Sequence, residues 1–294
     1  MSVRAAVPAW APTVALLAVA VLAVSSSGPL IAASAVAPFA IAFWRNALAA
    51  AVLVPVTAVR RRPELGRVDR RTAGWCVLSG VFLAAHFATW TPSLRLTSVA
   101  TATALVCTTP VWTVLLGRVR VPTATWVGIA VAVAGAVTIS GVDLSASPRA
   151  LAGDALALAG GAFAAGYVLV GARVRATVST TVYTTLCYAA CAVVLLGLCL
   201  ATGDPLGGYG AASWAGLVAL TVGPQLLGHS LFNHVLDRLS ATVVSLVILL
   251  EVPGAALLAW AFLGQAPPPA AWAGIALLLA GLGIVVARRP APVP

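Results

Sequence analysis

Of 294 residues, 61% are hydrophobic and only 8% charged, where a soluble domain carries roughly 25% charged residues. So apolar a chain cannot cover a water-facing surface, which excludes a soluble globular protein and makes a bilayer the natural solvent. The formal charge of +10 is carried by arginine without a single lysine, set between apolar runs rather than on a solvated face with interleaved aromatics, which argues against nucleic acid as a partner.

Crossing the hydrocarbon layer takes about 20 apolar residues, and ten such runs follow one another. The first, residues 11–30, stands behind Arg4 like the core of a signal peptide; further spans follow at once, so it reads as a retained anchor. Span two (39–59) carries Phe43-Trp44-Arg45, a charge inside an apolar run. Span three (74–93) places His86 and Trp90 one helical turn apart, and span four (97–117) contains Pro110. Spans five (123–141) and six (151–171) follow; Gly160, Gly161 and Gly166 allow close helix approach, and Tyr167 beside them reads as packing. Span seven (179–201) holds Cys187 and Cys191, which with Cys76, Cys107 and Cys199 read as small buried hydrophobes; no metal site or cofactor is expected. In span eight (212–235), Gln225, His229 and Asn233 recur every four residues, nearly one stripe of a helix. Span nine (239–262) has Glu251 and Pro253, and span ten covers 270–287.

Arginine placement sets the expected orientation. With the N-terminus inside, Arg4, the cluster Arg60, Arg61, Arg62, Arg67, Arg70 and Arg71, then Arg118, Arg120, Arg173, Arg175, Arg238, Arg288 and Arg289 are cytoplasmic. Only Arg95 and Arg149 fall outside, and an even span count returns the C-terminus to the cytoplasm. The arginine-rich, lysine-free composition points to a bacterial plasma membrane.

The chain repeats itself. Thr97 matches Ser240, Pro110 matches Pro253 and His86 matches His229, all at an offset of 143. Trp126-x-Gly128-Ile129-Ala130 with Gly135 matches Trp272-x-Gly274-Ile275-Ala276 with Gly281, at 146. Two halves of five spans, 11–141 and 151–288, follow; an odd number of spans inserts the second half upside down, as in secondary transporters. The expected fold is an all-α membrane protein of about ten helices in two inverted five-helix repeats.

Several pieces resemble the drug/metabolite transporter superfamily, and its EamA-domain transporters in particular: Phe43-Trp44-Arg45, Leu96-Thr97-Ser98-Val99-Ala100, Pro110 and Pro253, Glu251-x-Pro253 followed by Phe262-Leu263-Gly264, and the final Trp272-x-Gly274 helix with Gly281. The resemblance spans roughly 13–288. It implies a ten-span carrier whose relatives export amino acids, other metabolites or drugs. The acidic residue frequent after the Leu-Gly of span nine is Gln265 here, and the first half reads Leu116-Gly117-Arg118.

Polar groups inside a membrane mark a pathway or a structural bond. Glu251 is the acid well inside a span, suited to proton exchange. Pro253 and Pro110 deprive the carbonyls of Leu249 and Val106 of their helical donors and so break corresponding spans, a pointer to a central site. The Gln225–His229–Asn233 stripe should face an interior, as should His86 with Trp90. Arg45 could pair with Glu251 or with an anionic cargo, or snorkel to an interface, and Trp44 could line a cavity or sit in an interfacial belt or against lipid. No phosphate-binding loop, nucleophile elbow or zinc pair is present, so neither an ATP motor nor an enzyme is expected. The leading expectation is a secondary exporter of a small-molecule solute, with the proton as candidate coupling ion, membrane lipid as surroundings and a homodimer left open. A carrier of nucleotide- or lipid-linked solutes, a membrane enzyme and a passive channel are the alternatives.

Overall fold

The computed structural model describes residues 11–118, 120–140, 147–266 and 269–287. Arg4, Arg288, Arg289 and both chain ends, on which part of the expected orientation rests, lie outside the described residues, as do positions 141 and 288 that bound the expected halves. The described residues are helical, without strands.

The helices are α1 (Ala11–Ser25), α2 (Ser27–Ala33), α3 (Pro38–Arg60), α4 (Arg62–Leu65), α5 (Arg70–Ser93), α6 (Val99–Val106), α7 (Thr109–Gly117), α8 (Thr123–Ser140), α9 (Pro148–Arg175) and α10 (Thr180–Thr202). After them come α11 (Ala211–Leu220), a π-helical stretch (Thr221–His229), α12 (Ser230–Val235), α13 (Ala241–Ile248), α14 (Glu251–Leu263) and α15 (Ala271–Ala287). Taken with their continuations, eight helical stretches are long and apolar enough to cross a bilayer, and two shorter apolar helices lie at Thr123–Thr138 and Trp272–Val285. The exterior is built for hydrocarbon: Leu22, Val59, Val193 and Phe262 are each at least 70% exposed, an arrangement water would penalise. Inside sit Arg45, Asn46, Ser79, Gln225 and Asn233, all buried.

Serine and aspartate define several helix starts. The Ser98 and Ser240 hydroxyls accept from the amides of Thr101 (3.1 Å) and Val243 (3.4 Å), satisfying donors that a helix start leaves free. Asp69 does the same for Thr72 (2.7 Å). These caps correct the expected register: Ser98, not Thr97, is the partner of Ser240, because each caps an eight-residue helix.

Spans that hold the same place in the two expected halves lie side by side and run in opposite directions. Along α3 and α10, the Trp44 indole donates to the Leu206 carbonyl (3.0 Å) near one end, while the Thr57 and Thr185 hydroxyls meet at 2.6 Å near the other. Along α8 and α15, Gly128 faces Gly281 and Gly135 faces Gly274. A Cβ on Gly281 would strike the Ala132 amide and the Gly128 carbonyl, so the absence of a side chain lets these backbones touch. Likewise α6 packs on α14 and α7 on α13.

Candidate functional site

Four spans break near their middles. Span one bends at Ser26, where the Ser25 and Ser26 hydroxyls bond to the Val21 and Ala23 carbonyls, each at 2.8 Å. Span four breaks at Cys107–Thr108, and the Thr109 hydroxyl takes the Val106 carbonyl (2.8 Å) that Pro110 leaves without a helical donor. Span nine breaks at Leu249–Leu250, so that Glu251 opens α14 and Pro253 follows in its first turn. The two interruptions meet: the Cys107 thiol lies 3.9 Å from the Ile248 carbonyl. Span eight widens into the π-helical stretch around Pro224, a distortion that re-aims side chains and is frequent at functional sites.

A cavity of about 50 Å³ lies between these broken spans. Glu251, His86, Trp90, His229 and Asn233 line it, together with Ser27, Cys107 and Thr109. Its volume suits a few water molecules. The Glu251 carboxyl has no hydrogen-bond or ion-pair partner among the described residues. His86 Nδ1 donates to the Gly160 carbonyl (3.0 Å), because a carbonyl can only accept. In the neutral ring this leaves Nε2 as an acceptor. Trp90 stacks on His86 with centroids 5.7 Å apart, and its buried indole N–H has no partner among the described residues. His229 sits against Phe87, Tyr167 and His86, with ring centroids at 5.7, 6.0 and 6.4 Å.

Arg45 is fully buried behind that wall. Its Nε donates to Gln225 Oε1 (2.9 Å), its Nη1 to Ser27 Oγ (3.1 Å), and its guanidinium lies 4.2 Å from the Phe87 ring centroid. Nη2 has no partner among the described residues. The pairing with Glu251 offered by the sequence is therefore not made: among the described residues no carboxylate stands within 4.0 Å of Arg45. A Phe face and two neutral oxygens take its place.

The expected stripe of span eight divides. Asn233 and His229 reach the cavity, whereas Gln225 turns toward span two and donates to Asn46 Oδ1 (3.1 Å). The π-helical stretch is the cause, since its wider turn takes positions four apart off one line. Trp44 lies outside the cavity lining, packed edge-on against Trp214 at 4.9 Å. Pro110 and Pro253 are also outside it, each a residue or two from a lining side chain, Thr109 and Glu251. Tyr167, read from sequence as packing, lines the cavity and accepts from Asn233 Nδ2 at 2.5 Å. Its only sequence signal was one phenol in a small-residue run. Among the described residues no three His, Cys, Asp or Glu side chains could hold a metal ion.

A lipid-facing exterior around a broken-helix, polar interior defines a multi-pass membrane protein of transporter type. The chain belongs to the EamA-like transporter family, whose model matches residues 9–141 and 151–287. The family's members are transporters rather than enzymes, consistent with the drug/metabolite transporter superfamily. No curated protein matches the chain. Among the solved structures that share the fold, one crystal structure has a TM-score of 0.73 at 21% identity over 95% of this chain and 99% of its own.

Proposed function

We propose that the protein is a secondary active exporter of small metabolites, amino acids or drugs. It works by alternating access of two inverted five-helix halves, 11–141 and 151–288, and couples export to protons. The antiparallel pairing of helices that correspond between the halves supports the inverted arrangement, since a two-fold axis in the membrane plane turns each helix onto a reversed copy. Two family matches along the chain support the division. The arginine-rich, lysine-free composition supports a bacterial plasma membrane, and the placement of the arginines supports cytoplasmic termini.

The observation that carries the proposal is Glu251, a carboxyl without a partner among the described residues, facing the cavity where two broken spans meet. An acid so placed can exchange a proton for a cargo group without first breaking a protein bond. Flux of a candidate solute into liposomes, with and without an imposed pH gradient, tests it. Gradient-driven flux that Glu251→Gln abolishes is expected; equal flux under both conditions removes the coupling.

One observation favours a second reading, a carrier of nucleotide- or lipid-linked solutes. The free Nη2 of Arg45 would then receive a phosphate. Loss of solute binding on Arg45→Ala, with Glu251→Gln silent, would select that reading.

A further inference from the structure

Two features outside the central cavity converge at one end of the bundle. The first is a groove of about 280 Å³ between α2 and α14. Pro29, Leu30, Ala33, Leu258, Phe262 and Leu263 form its walls, with Ser26 as the one polar side chain. Phe262 is 77% exposed, so the groove opens on the outer surface, where hydrocarbon is the solvent.

The second feature is the pair Arg95 and Arg149, the two exceptions to the arginine bias. They stand together, with Arg149 Nη2 donating to the Arg95 carbonyl (2.9 Å). Arg95 reaches over the end of α2 to the carbonyls of Ser34 and Val36, the latter at 3.1 Å. Both side chains are exposed, and neither has a carboxylate within 4.0 Å among the described residues. Arg149 also lies in the first turn of α9, where free backbone amides add positive potential. Carbonyl bonding alone would not require a charge; an uncharged amide could donate as well.

We propose that these features form a site for one anionic phospholipid, with an acyl chain in the α2–α14 groove and the headgroup phosphate at Arg95 and Arg149. Each half of the site selects for one half of that molecule. A zwitterionic lipid brings the same phosphate but also a cationic ammonium that the two guanidinium groups repel, and a soluble anion would leave the apolar groove to detergent or bulk lipid. The groove wall also touches the cavity: α2 begins at Ser27, which bonds to Arg45.

Native mass spectrometry of the full chain in detergent, with phosphatidylglycerol or phosphatidylcholine added, tests the site. One phosphatidylglycerol retained per chain in preference to phosphatidylcholine is expected. Arg95→Gln with Arg149→Gln should lower that retention roughly thirtyfold, the equivalent of about 1 kcal/mol per arginine. Ala33→Phe, which fills the groove, should lower retention of both lipids. Equal retention of the two lipids by the unaltered chain overturns the proposal. So does undiminished retention by the double variant, which would move the lipid to the Arg60–Arg71 loop. Hydrogen exchange on the unaltered chain needs no variant. Slower exchange around Ser34 and Leu96 in phosphatidylglycerol than in phosphatidylcholine bilayers supports the site; identical exchange sinks it.

Discussion

Arg45 and Glu251 occupy the same buried region without touching, and each is held differently. Arg45 is fixed by Gln225, Ser27 and the Phe87 face. Lysine cannot reproduce a forked pair of bonds, so Arg45→Lys should leave Gln225 Oε1 or Ser27 Oγ unsatisfied. That costs about 1–3 kcal/mol for a buried polar group, read as a lower thermal midpoint in detergent. Glu251→Gln, by contrast, removes no hydrogen bond to a described residue and should leave that midpoint nearly unchanged while abolishing gradient-driven flux. At the opposite end of the bundle, Asp69 caps α5 by accepting from the Thr72 amide, and the Thr72 side chain first, then that amide, hold its carboxyl below the ordinary value of 3.8. A depressed carboxylate stabilises the fold above the ordinary pKa and loses that contribution as pH falls through the folded one. Asp69→Ala should therefore lower the thermal midpoint at neutral pH, with the difference vanishing on strong acidification.

At the scale of elements, breaks and close crossings decide the geometry. Span nine crosses span one at Gly254, where a Cβ would collide with the Ser25 side chain. Replacing Gly254 with valine should cost about 1–3 kcal/mol by overpacking and shift the bend at Ser26, measured as reduced stability together with reduced flux. Pro253→Ala restores an amide that can bond to the Leu249 carbonyl and should straighten span nine. A thermal midpoint equal or higher, with slower transport, is expected from reconstituted protein; unchanged transport would show that the break does not depend on this proline. Much of this was legible beforehand. Pro110 and Pro253 lie within three residues of the actual interruptions, because a missing amide acts locally. The bend at Ser26 and the π-helical stretch were not legible: serine hydroxyls substitute for helical bonds only where packing permits, and no short-range pattern announces a wide turn.

For the whole molecule, antiparallel pairing makes a testable statement about motion. The Thr57 and Thr185 hydroxyls meet at 2.6 Å across α3 and α10, and the five native cysteines are free and buried. Cysteines at both positions should form a disulfide under mild oxidation. If the halves rock about this contact, the crosslinked protein should lose flux and regain it on reduction; full flux in the oxidised state would exclude motion there. By itself the sequence determined the solvent, the helices, the duplication and most of the polar side chains that reach the cavity. Each follows from local composition, periodicity or the high cost of burying a polar group in hydrocarbon. Tertiary structure alone decided that Arg45 turns to Gln225 and Ser27 instead of Glu251, that Trp44 packs against Trp214 outside the cavity lining, and that Tyr167 joins the cavity wall. Those outcomes depend on which faces of distant helices meet, and helix crossings are set by long-range packing that no single segment encodes.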